Sequence, residues 1–164
     1  MIKHSVVPGV ILGALLGAWV FTMGFTGWYK HPQLLNLFWV VVLIQAVVLT
    51  VTLRGSAGDG AGYGKRVLHG AGTSFVAGLI VIGNSLLFTT VAFPKYFEEL
   101  RAMQEKMLRE AGRSDAEIKA LIDQVAAVQT PAMQAMFGFM GTVVTGVVLS
   151  LIIAAVVRGK KKEG

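Results

Sequence analysis

Residues 132–157 read AMQAMFGFMGTVVTGVVLSLIIAAVV, an unbroken apolar run without one Asp, Glu, Lys or Arg. Hydrocarbon offers backbone amides no water, so such a segment crosses a membrane only as a helix satisfying its own hydrogen bonds. About 20 residues rising 1.5 Å each cover the roughly 30 Å hydrocarbon core. Working back along the chain, residues 6–28, 34–53 and 67–93 meet the same test, and none of the four blocks carries a charged side chain. Only His69, near one end of its block, titrates near neutrality. The expectation is an all-α polytopic membrane protein with four transmembrane helices.

Between the third and fourth blocks, residues 94–131 read differently. Phe97, Leu100, Met103, Met107 and Ala111 recur at spacings of three and four, which makes one apolar stripe. Ile118, Leu121, Ile122, Val125 and Val128 make a second. Gly112 suits the residue past a helix end, and Ser114 with Glu117 spells a capping box. Thr130-Pro131 then opens the fourth span as an N-cap followed by proline at the first helical position. Residues 1–164 therefore form one transmembrane domain, with 94–131 as an extramembrane amphipathic hairpin. Balanced charges and the lack of Trp favour stripes packed on each other or on a partner over a helix lying on the membrane surface.

The net charge of +6 is confined to one side. With four spans, the N-terminus, the second loop and the C-terminal tail share a side, holding Lys3, Arg54, Lys65, Arg66, Arg158, Lys160, Lys161 and Lys162. Their only acids are Asp59 and Glu163. A folded insertion crosses largely regardless of its charge, so the short loops decide by positive-inside counting. Both termini are expected in the cytoplasm, with the hairpin extracytoplasmic. This placement argues against nucleic acid as a partner and for the lipid bilayer. The absence of Cys excludes disulfides and thiolate metal sites. The first block is longer than a signal-peptide core and lacks a clear cleavage site, so it is read as a retained helix.

Small residues recur every fourth position on three spans: Gly9, Gly13 and Gly17; Gly70, Ser74 and Gly78; Thr142, Gly146 and Ser150. That spacing lets another backbone approach closely, either within the bundle or from another membrane protein or a second copy. Gln45 and Asn84 are the most polar groups well inside the spans. They suit single interhelical contacts, a direct pair, or the lining of a pathway with Ser85 and Thr89. The glycines from Gly55 to Gly64 lack the GxxxxGK[ST] pattern and read as a flexible linker, not a phosphate loop. His4, His31 and His69 have no evident carboxylate partner and read as interface residues. Met103, Met107, Met133, Met136 and Met140 suit packing before an adaptable binding surface. Glu98, Glu99, Asp115 and Asp123 sit among bases as solvated residues do. No residue qualifies as catalytic, cofactor-binding or metal-ligating, and no cofactor is implied.

Three features carry a family resemblance. They are His31-Pro32 with Asn36-Leu37-Phe38; Pro94-Lys95-Tyr96-Phe97-Glu98; and Gly112-Arg113-Ser114 ahead of Glu117-Ile118 with Thr130-Pro131. In order and spacing the chain resembles the bacterial membrane family of unknown function numbered 4199. The second loop departs, with Tyr63-Gly64-Lys65 where the family often has an aromatic-Gly-Gln run. The resemblance implies a four-helix bacterial membrane protein, and so a place in a bacterial inner membrane, and supplies no activity. The expected role is a non-enzymatic accessory, assembly or scaffold component. The alternative is a small oligomeric transporter or channel.

Overall fold

The computed structural model describes residues 2–157, so the basic tail from Arg158 lies outside the described residues. Within them every regular element is helical. Six α-helices run in order: α1 (Val7–Thr26), α2 (Val40–Gly58), α3 (Tyr63–Leu87), α4 (Tyr96–Glu110), α5 (Asp115–Ala126) and α6 (Pro131–Val156). A π-helical turn, Ile2–Val6, leads into α1, and a 3₁₀ segment, Pro32–Trp39, runs into α2. Another π-helical turn, Phe88–Ala92, extends α3. Counted with these extensions, four rods are long and apolar enough to cross a membrane: Lys3–Thr26, Pro32–Gly58, Tyr63–Ala92 and Pro131–Val156.

Local chemistry sets the breaks. Gly27, at φ +71°, takes the left-handed conformation that terminates α1, two residues short of the expected end at 28. The second rod does not stop at Arg54. Helix continues through Gly58, and α3 begins at Tyr63, so the expected glycine linker shrinks to residues 59–62. At the tip of the hairpin the Arg113 N–H bonds the Leu108 carbonyl and the Gly112 N–H that of Arg109. With Gly112 at φ +76°, this is a Schellman ending. Ser114 and Glu117 form the capping box reciprocally, and Thr130 Oγ1 accepts from the Met133 N–H at 3.2 Å.

Helix α3 lies at the centre of the bundle, packed against α1, α2 and α6. Its glycines and those of its neighbours allow this. A methyl group added at Gly9 would fall 2.6 Å from Val76 Cβ, and one at Gly13 2.7 Å from Ile80 Cβ. On the other flank, a methyl group added at Gly78 would fall 2.8 Å from the Phe139 ring, and one at Gly70 would collide with Ser150 Oγ. The second rod turns Trp39, Leu43, Val47 and Val51 outward at every fourth position, each 64–68 % exposed, a row suited to contact with lipid chains. The hairpin packs α4 on α5, with Phe97 and Ile118 buried.

Candidate functional site: a polar-ended cavity and two end latches

Helices α2, α3 and α6 meet at Gln45, which is 3 % exposed. Its Nε2 donates to the Thr142 carbonyl at 2.6 Å and reaches Ser74 Oγ at 3.5 Å. The small face of α6 makes this crossing: a methyl group at Gly146 would come within 1.8 Å of Ser74 Oγ and 2.6 Å of Gln45 Nε2. Ser150 Oγ returns its proton to the Gly146 carbonyl at 2.6 Å. Asn84 Nδ2 donates to the Gly13 carbonyl of α1 at 3.1 Å, and Gly17 leaves the room, since a methyl there would lie 2.2 Å from that nitrogen. Gln45 and Asn84 thus make single interhelical contacts to backbone carbonyls rather than a direct pair. All nine small residues singled out in the sequence, from Gly9 to Ser150, face neighbouring helices of the same chain.

Above this crossing, toward the hairpin, the rods enclose a cavity of about 410 Å³. Its volume falls within the roughly 300–1,000 Å³ of small-molecule sites. The walls come from residues 16–24 of α1, 38–45 of the second rod, 81–89 of the third and 134–145 of α6, with Tyr29 and Tyr96 at the hairpin end. Gln45, Asn84, Ser85 and Thr89, which the sequence offered as the lining of a pathway, all line it. None of the lining residues is an acid, Lys, Arg or His. Nothing from the far half of the bundle contributes, so the cavity ends at the Gln45 crossing.

At the hairpin end a latch ties α4 to the loop after α1. The Tyr29 hydroxyl donates to the Glu99 carboxylate, and Lys30 Nζ lies 3.0 Å from Glu99 Oε1. The bond from Tyr29 and the nearby Lys30 hold the Glu99 carboxyl below its usual range. Burial, with Glu99 next to it, pushes the Tyr29 phenol up, and burial does the same to Tyr96. Phe88, Phe93 and Tyr96 stack around this point, with ring centroids 4.6–5.2 Å apart. Glu99 is therefore not one more solvated acid of the hairpin, as its neighbours in sequence suggested.

At the opposite end the N-terminal turn is latched to the second loop. His4 Nε2 lies 2.9 Å from Asp59 Oδ2, and Lys3 Nζ is 3.4 Å from the same oxygen. The His4 and His69 rings stack at 5.0 Å, and His69 Nδ1 shares a 2.6 Å hydrogen bond with Ser56 Oγ. His4, with no carboxylate near it in sequence, finds one in the turn of the second loop. Among the described residues, no three His, Cys, Asp or Glu side chains gather to hold a metal ion. Arg66, 8 % exposed, donates from Nη1 to the Val157 carbonyl at the end of α6.

The family model described as "Protein of unknown function (DUF4199)" matches residues 8–159. The chain belongs to this family. No curated protein and no solved structure matches it. In this DUF4199 protein the family model takes in all four apolar rods but the N-terminal turn, and the hairpin as well. The residues that carried the resemblance serve as structural joints. Pro32 opens the 3₁₀ start of the second rod, Tyr96 and Phe97 seat α4, and Ser114-Glu117 and Thr130-Pro131 cap α5 and α6.

Proposed function

We propose that the protein is a non-enzymatic component of a bacterial inner membrane that serves assembly or scaffolding, with both termini cytoplasmic and the hairpin presented outside. The observation that supports this reading best is the way the hairpin is held. Its base is fixed to the bundle through Tyr29, Lys30 and Glu99. Its apolar residues beyond the base are not all covered: Met107 is 41 % exposed and Leu121 40 %. A hairpin fixed at its base with apolar side chains open beyond it suits engagement of a partner protein. The small-residue faces are taken up inside the bundle, so the partner surface lies elsewhere. Gentle-detergent purification from the native host followed by mass spectrometry tests this. A stoichiometric partner that is lost when Met107 and Leu121 become Ser supports the reading. A chain that purifies alone, or a partner indifferent to those changes, overturns it.

One observation favours the transporter or channel reading: Gln45, Asn84, Ser85 and Thr89 face one cavity. Passage through it would require the crossing at Gln45, Ser74 and Gly146 to open. Flux of small neutral solutes in proteoliposomes, abolished by Gly141→Leu, would support it.

A further inference from the structure

We propose that the cavity binds an uncharged, mainly apolar molecule carrying a hydroxyl or amide hydrogen-bond donor, an alkyl-chain alcohol being its simplest form, taken from the hairpin-side leaflet. Three observations carry this. First, the walls are apolar and aromatic and hold no ionisable side chain other than Tyr29 and Tyr96, so a bound ion would meet no countercharge there. A charged group in such surroundings is costly without a partner.

Second, the deep end offers two acceptors without partners. Gln45 Nε2 and Asn84 Nδ2 are turned to the carbonyls of Thr142 and Gly13. Those carbonyls can only accept, which fixes how each amide points and leaves Gln45 Oε1 and Asn84 Oδ1 without partners among the described residues. Neither oxygen is sealed away, since the sole sealed and unpartnered side-chain polar atom among the described residues is Arg66 Nε. Both residues line the cavity, so each oxygen is free to accept from a donor on a bound molecule.

Third, the cavity is rimmed on one side by exposed apolar side chains. Phe38 and Trp39 of the second rod and Phe137 of α6 line it while remaining 54 %, 68 % and 54 % exposed. In a bilayer these side chains stand against lipid, so the route in is lateral. A chain-bearing molecule slides from lipid between the second and fourth rods, its polar group leading toward Gln45.

The test is photolabelling of the purified full chain in dodecylmaltoside with a diazirine analogue of hexadecanol, mapped by peptide mass spectrometry. Label is expected in residues 38–45 and 137–145, displaced by hexadecanol about fivefold better than by hexadecane, as one hydrogen bond of about 1 kcal/mol dictates. Gln45→Met together with Asn84→Leu should erase that preference. Gly141 lines the cavity and has nothing within 4 Å of an added Cβ. Gly141→Leu should therefore fill the site and abolish labelling while leaving the fold intact. Equal displacement by hexadecane would overturn donor recognition, and better displacement by palmitate or hexadecyl phosphate would overturn the uncharged class. Label unaffected by Gly141→Leu would show detergent-like coating of the surface and overturn the site itself.

Discussion

The side-chain amide of Gln45 on α2 donates to the backbone carbonyl of Thr142 on α6 at 2.6 Å, across 97 positions of sequence. This bond marks the floor of the cavity and joins the least buried rod to the rest of the bundle. Replacing Gln45 by Leu should lower unfolding stability in detergent by about 0.6–1.7 kcal/mol, the range of single interhelical hydrogen bonds in membranes. The Thr142 carbonyl keeps its place in the helix ladder, so the loss stays modest. Thermal or denaturant unfolding followed by circular dichroism reads it.

Two glycines of one helix should behave oppositely. A methyl group at Gly146 meets Ser74 Oγ at 1.8 Å and Ser74 Cβ at 2.3 Å, whereas one at Gly141 meets nothing within 4 Å. Gly146→Val should destabilise by about 3 kcal/mol through overpacking. Gly141→Ala should stay within about 0.5 kcal/mol of the parent. Melting temperatures of the two variants side by side decide the matter. Equal effects would show that α3 and α6 are not packed as described.

The Tyr29–Glu99 bond should show itself through pH. Glu99 has its pKa lowered in the folded chain, first by the Tyr29 hydroxyl and then by Lys30. A depressed carboxyl stabilises above its unfolded value, here 4.5, and that stability is lost as pH falls through the lower folded value. Tyr29→Phe should therefore cost about 1 kcal/mol at pH 7, after discounting for a partly exposed carboxylate. The gap between parent and variant should narrow as pH falls below 4.5 and through the lower folded value. A gap constant from pH 7 to pH 3 would refute the bond.

The latch at the other end is exposed and should contribute little. Asp59, with its side chain 53 % exposed, holds Lys3 and His4. Asp59→Asn should change global stability by less than about 1 kcal/mol. Amide hydrogen exchange at residues 4–6 should nonetheless rise, because the N-terminal turn loses one of its ties to the second loop. Unchanged exchange there would mean the turn is held by other ties, such as the bonds from Ser5 Oγ to the His69 carbonyl and from Thr73 Oγ1 to the His4 carbonyl.

What the sequence showed was what neighbouring residues decide among themselves. The four apolar rods, the Ser114–Glu117 capping box and the Gly112 ending each rest on residues within one turn or one span, and all stand in the structure. The fourfold spacing of Gly9, Gly13 and Gly17 announced a close helix contact but not its partner, because α3 offers the same spacing and lies far along the chain. The acceptors of Gln45 and Asn84 are backbone carbonyls, which every residue has, so no residue type signals them. Tyr29 and Glu99 stand 70 positions apart. Nothing local separates Glu99 from its solvated neighbour Glu98. The cavity comes from shape: the 3₁₀ start at Pro32–Trp39 helps set how the second rod meets the others, and residue periodicity does not reveal that space.

A photocrosslinking amino acid at Ser114, on the exposed tip of the hairpin, tests the scaffold role most directly when activated in membranes of the native host. One discrete adduct to a different protein is expected, reduced when Met107 and Leu121 become Ser. Adducts only to further copies of the same chain, or none at all, would contradict it.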